Sequence, residues 1–270
     1  MTTSAATIAP AERGGLQAAG LLRSEWVKLR SLRSTVWSYG ITLVAGIGMS
    51  TLLGLTFQAD GLPPAEQGSY AVQAATLGLI VAQLSVAVLG VLVISGEYAT
   101  GMIRSTLTAV PHRLPALWAK ATVFSALTFI VGLLITFGSY FITSPLMAAR
   151  GAESSITDPG VIGALIGGAL YLTFIGLISL GIGTVVRSSA GGIATAIGLV
   201  VLAPILFALI PTEWSADIAR YLPSAAGGSL YDLTAGENGT FEAWQGLTIL
   251  IGWVVLALGS GAALLTRRDA

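Results

Sequence analysis

Two lysines, one histidine and no cysteine bound the chemistry open to this chain. A nucleotide-hydrolysing P-loop needs Gly-Lys-Ser/Thr, because its lysine must reach the terminal phosphates. Lys28 follows Val27 and Lys120 follows Ala119, so neither lysine fits. An intramembrane Ser–His dyad would need a histidine within an apolar stretch. His112 instead stands beside Pro111 in a polar segment and reads as an ordinary surface residue. One His without Cys leaves no histidine or thiolate cluster to ligate a metal. No catalytic residue is assigned, and the chain is not expected to be an enzyme. Proton-coupled carriers place charged residues inside their spans, each costing about 2.5 to 3.5 kcal/mol on insertion scales. None lies deep in the apolar stretches here, which disfavours such a carrier, although a sodium site built from carbonyls and hydroxyls stays open.

The elements that must position any functional group are membrane helices. The chain is 54% hydrophobic and 10% charged, against about 25% charged in soluble domains. A spanning helix needs about 20 mostly apolar residues, since its backbone must satisfy its own hydrogen bonds in lipid. Six stretches qualify, over 36–57, 71–95, 117–142, 161–186, 190–210 and 245–265, and the chain reads as an all-α integral membrane domain over 20–270. Residues 1–19 lack the basic start and apolar core of a signal peptide and are expected to form a disordered cytoplasmic N-terminus. With the N-terminus inside, every Lys and Arg except Arg150 and Arg220 is cytoplasmic, so both termini are placed in the cytoplasm. A tight turn at 187–189 joins the fourth and fifth spans. The outer loop over 211–244 carries Trp214, Ile218, Tyr221 and Leu222 at roughly helical spacing, and short interfacial helices are expected there.

Within the spans only mildly polar side chains remain. Gln83, Ser85, Ser125, Thr128, Tyr140 and Thr173 are candidates to line a pathway for apolar or amphipathic cargo, with helix packing as the competing reading. Gly163-x-x-x-Gly167 and the run "GLISLGIG" allow helices to approach closely.

Two polar segments lie on the cytoplasmic side. In "LLRSEWVKLRSLRSTVWS", Leu22, Trp26, Leu29 and Leu32 share an arc with Arg23 and Arg30 roughly opposite, so a helix over 20–35 can lie in the membrane interface. Glu25 and Arg33 intrude on that arc. In "GEYATGMIRSTLTAVPHR", Ile103, Leu107 and Val110 make a stripe at i, i+4 and i+7, and Pro111 and Pro115 end the segment, so a surface helix is expected over 97–110.

Four segments in chain order, "SEWVKLRSLRSTVWS", "GEYATGMIRSTLTAVPHRLPALWAK", "YLPSAAGGSL" and "TRRDA", resemble the ABC-2 type permease subunits of bacterial ATP-binding cassette transporters across almost the whole chain. The resemblance implies a type V exporter-like fold in a bacterial cell membrane. Two six-span units, here a homodimer, would be driven by two copies of a separate ATPase that binds ATP and Mg, with no cofactor in this chain. It further implies a connecting helix matched at Glu25, Trp26 and Lys28. A coupling helix, received by the ATPase, is matched at Glu97, Tyr98, Thr100, Gly101 and Arg104. The implied cargo is hydrophobic or amphipathic, the other contacts are membrane lipid, and no nucleic acid is involved. A membrane scaffold, sensor or regulatory permease-like subunit is the alternative, and an ion-coupled carrier the third reading.

Overall fold

The structure, a computed structural model, describes residues 18–56, 64–99, 101, 113–236 and 240–267, and every regular element among them is helical. In chain order these are α1 (Ala18–Ser31), α2 (Arg33–Thr56), α3 (Pro64–Thr76), α4 (Leu79–Ala99), α5 (Arg113–Ala148) and α6 (Val161–Val186). They continue with α7 (Ser189–Ala208), α8 (Glu213–Ala219), α9 (Pro223–Gly228) and α10 (Ala243–Arg267). Among the described residues six helical segments are long and apolar enough to cross a membrane: Arg33–Thr56, Gly68–Ala99, Leu114–Ala148, Val161–Val186, Ser189–Ala208 and Ala243–Arg267. That is the architecture of a multi-pass membrane protein, as the composition requires.

The innermost helix is α6, flanked by α4, α5 and α10, where Leu165, Leu172, Ile175, Ile178 and Leu180 are fully buried. Peripheral α2 reverses the soluble-protein pattern. Its packed stripe is small or hydroxyl-bearing (Thr35, Tyr39, Thr42, Gly46, Ser50, Gly54), while Val36, Trp37, Ile41, Val44 and Leu52 point outward. Lipid is as apolar as leucine, so burying aliphatic side chains gains little there and close backbone approach governs the packing.

The second span is broken. α3 stops at Thr76 and α4 starts at Leu79, with a turn at Leu77 and Gly78 between them. The cause is α2: a Cβ on Gly78 would stand 1.9 Å from the Gly46 carbonyl oxygen, so only glycine lets the turn lie on that backbone. Ser50 ties the break together, its hydroxyl donating to Ala75 O at 2.9 Å and accepting the Gly78 N–H at 3.0 Å. Ser50→Ala is expected to destabilise the protein by about 1 to 2 kcal/mol, because both backbone groups lose that partner in a dry environment. SDS-titration unfolding checks this, and an unchanged midpoint would show that the break does not depend on Ser50.

The helices alternate in direction, and side-chain contacts identify the two ends. At one end, hereafter the charged end, Ser95 of α4 meets Ser189 of α7 (2.9 Å) and Arg187, after α6, donates to Leu264 O of α10 (3.3 Å). At the far end Arg150 donates to Gly54 O (3.0 Å) and Trp253 to Tyr221 O (2.9 Å). Among the described residues of the 211–244 loop stand two short helices. α8 keeps Trp214 and Ile218 exposed, whereas α9 buries Pro223, Ala226 and Gly227 between α6 and α10.

Candidate functional site

At the charged end three elements bring Glu25, Lys28, Glu97 and Lys120 together. Lys120, two turns into α5, donates to Glu25 Oε2 at 2.6 Å and to Glu97 Oε1 at 2.8 Å. Lys28 donates to Glu25 Oε1 at 2.7 Å and to Glu97 Oε1 at 3.1 Å. Each charge touches two of opposite sign, and the four sum to zero. The side chains of Glu25, Glu97 and Lys120 are 4%, 6% and 5% exposed, that of Lys28 28%. Ions this buried repay their desolvation only through such direct, hydrogen-bonded contacts. Glu97 Oε2 is buried yet receives no hydrogen bond.

Local sequence explains how α1 reaches the cluster. Leu21 stands four residues before Glu25, and Lys28 and Leu29 stand three and four after it, so the four share its inward stripe. Of the apolar arc Leu22, Trp26, Leu29 and Leu32, Leu29 is buried against the bundle, while Leu22, Trp26 and Leu32 point away from it, Trp26 at 44% exposure. The ion pair between Glu25 and Lys120 turns the apparent flaw in that arc towards the bundle. One correction concerns Glu97 and Tyr98. They do not open a separate helix but form the last turn of α4, held by Lys120 and by Arg187, whose guanidinium lies 5.2 Å from the Tyr98 ring centre. The chain then leaves the helix at Gly101, which is exposed with φ 71°, in the left-handed region. Thr100, Arg104 and the rest of the expected coupling helix lie outside the described residues.

Electrostatics fixes the protonation of the α1 pair. Burial alone pushes the Glu25 carboxyl up, but Lys120 and then Lys28 outweigh it, and the net shift is below the ordinary 4.5. Burial pulls Lys28 down, while its hydrogen bond to Glu25 and the charge of Glu97 hold it above the ordinary 10.5. The Glu25 contribution is complete above pH 4.5 and is lost as pH falls through its depressed folded value. The Lys28 contribution is complete below pH 10.5 and is lost as pH rises through its elevated one. Glu25→Gln is accordingly expected to lower the plateau and flatten the acid limb of a melting-temperature profile below pH 4.5. An acid limb of unchanged slope in the variant would rule Glu25 out as its source.

The six pathway candidates are not gathered into one cavity. Tyr171 donates to Gln83 in the buried centre, and Tyr39 donates to Thr128, whose own hydroxyl proton is committed to Phe124 O. Thr173 bonds back to Ala169 O. Tyr140 meets Ser154 at 3.0 Å nearer the far end, and Ser85 and Ser125 are half-buried. Two clefts lie elsewhere. One of about 560 Å³ at the far end is bordered by Tyr70, Gln73, Arg220, Tyr231, Asp232 and Phe241. Burial, reinforced by Asp232, pushes the Tyr231 phenol up to about 12, so it is neutral there. The other, of about 270 Å³, opens beside the charge cluster. None of the six candidates lines either cleft. What the sequence reading missed is Lys120, weighed there only as a P-loop lysine and as one of the cytoplasmic charges. No family model matches this chain, and no curated protein matches it.

Proposed function

We propose that this chain is the membrane-spanning permease subunit of an ATP-binding cassette exporter, paired with a second copy of itself in a bacterial cell membrane. Two copies of a separate cytoplasmic ATPase, binding ATP and Mg, would drive it. The reading rests on the four ABC-2-like segments, the six spans and the absence of a P-loop in the sequence. The observation that carries it is the bond between Glu97 and Lys120, which stand at the two roots of the 100–112 segment. Because those roots are joined at 2.8 Å, a push on the segment is delivered to α4 and α5 as one unit. Glu25 hands the same displacement to α1. A purely topological role for these charges would not require them to be mutually bonded and buried.

The test is affinity purification of the tagged full chain from its native membrane, followed by reconstitution. A P-loop ATPase should co-purify, and the complex should move a hydrophobic compound across liposomes only with ATP. Flux through the purified chain without any ATPase would overturn the proposal in favour of an ion-coupled carrier. ATP hydrolysis without movement of cargo would mark a scaffold or regulatory subunit.

A further inference from the structure

The cleft beside the charge cluster has two unlike walls. Leu29 and Leu89 line it deeply, while Leu32 and Leu92 lie at 49% and 40% exposure, so its mouth opens on the apolar belt of the bundle. Ser34 and Ser38 add hydroxyls, and Lys28 and Glu97 add charge. Within the cluster every carboxylate oxygen accepts at least one ammonium bond except Glu97 Oε2, which is buried without a donor. A buried carboxylate oxygen left in this state is costly, and an incoming donor would relieve that cost.

We propose that this cleft binds the headgroup of a membrane phospholipid that carries a primary ammonium, as in phosphatidylethanolamine. The Glu97 carboxylate, which lines the cleft, turns its closed Oε2 into it to accept from the ammonium, the phosphate lies against Lys28 and the serine hydroxyls, and an acyl chain runs over Leu32 and Leu92. The cluster itself sums to zero charge, which matches a zwitterion. A choline headgroup has no N–H to give, which makes discrimination against it the distinguishing property. Such a lipid would brace α1 against α4 from the membrane side.

Native mass spectrometry of the purified full chain, titrated with ethanolamine, choline and glycerol phospholipids of identical acyl chains, tests this. The ethanolamine lipid should bind about tenfold more tightly than the choline lipid, the ratio supported by one added hydrogen bond to a charged group. Glu97→Gln, which turns the acceptor into a donor, should abolish that preference. Leu92→Trp blocks the cleft from its exposed rim without touching the cluster, and should abolish it even where Glu97→Gln fails to fold. Equal binding of the ethanolamine and choline lipids, tighter binding of the glycerol lipid, or a preference that survives Leu92→Trp would each overturn the proposal. None of these measurements involves an ATPase, so they bear on the lipid site alone.

Discussion

Replacing Lys120 by methionine is expected to destabilise the protein by about 3 to 5 kcal/mol, the cost of stranding a buried charge by removing its partner. Lys120 is the more deeply buried of the two cations that both carboxylates share. Without it, Glu25 and Glu97 repel across a dry contact and depend on Lys28, the most exposed of the four. The loss should show in SDS-titration unfolding of the purified chain, together with faster proteolysis within α1. Two comparisons separate this effect from a general intolerance. The exposed pair Arg220–Asp217, at 47% and 64% exposure, is screened by solvent, and Arg220→Ala should cost about 1 kcal/mol or less. The double variant Lys120→Met and Glu97→Gln leaves Glu25 bonded to Lys28, so the remaining charges again sum to zero, and it should regain most of the stability, since buried ion pairs exchange well for neutral groups of similar size. A double variant as unstable as the single one would mean that packing around Lys120, not charge, holds this end of the bundle.

The same cluster shows what could be read from sequence. Six spans were legible because each needs a long apolar window, a local property. The partners of Lys120 were not, because Glu25 lies 95 residues away and Glu97 23. A usable signal did exist. A lysine at the edge of an apolar span needs an anion, and only Glu12, Glu25, Glu97 and Asp269 fall on its expected side. Glu25 was instead weighed against the helical wheel of its own segment, where it looked misplaced. The break at Leu77 and Gly78 has a tertiary cause, the backbone of α2 at Gly46, and no proline marks it. The hydroxyls considered as pathway groups illustrate the converse. Thr128 and Thr173 are buried and bonded to their own helices, which is how a threonine packs inside a membrane helix whether or not cargo passes.

Gly167→Ala is expected to cost about 3 kcal/mol or more, whereas Gly163→Ala should be neutral or slightly stabilising. The two glycines form one Gly-x-x-x-Gly pair in the sequence, and the structure separates them. A Cβ on Gly167 would fall 1.8 Å from the Leu230 carbonyl oxygen, a backbone atom that cannot swing aside, whereas one on Gly163 meets nothing within 4 Å. Overpacking at a rigid contact costs about 1 to 3 kcal/mol and sometimes more, while alanine at an open helical position gains about 0.5 to 1 kcal/mol over glycine. Gly167 therefore serves a turn rather than a neighbouring helix. One helical turn further along α6, Tyr171 packs under Gly227 so closely that a Cβ there would reach 2.2 Å from its ring. The far end of the bundle is thus closed by α9 and the residues after it, seated in a notch of α6. In a chain without cysteine, Leu230→Cys is a clean reporter of that seat, since Leu230 is only 7% exposed. Maleimide labelling of Cys introduced at that position should be slow in the otherwise native chain and markedly faster when combined with Gly167→Ala. Equal labelling rates in the two backgrounds would mean that the turn stays seated despite the clash, and that α6 yields instead.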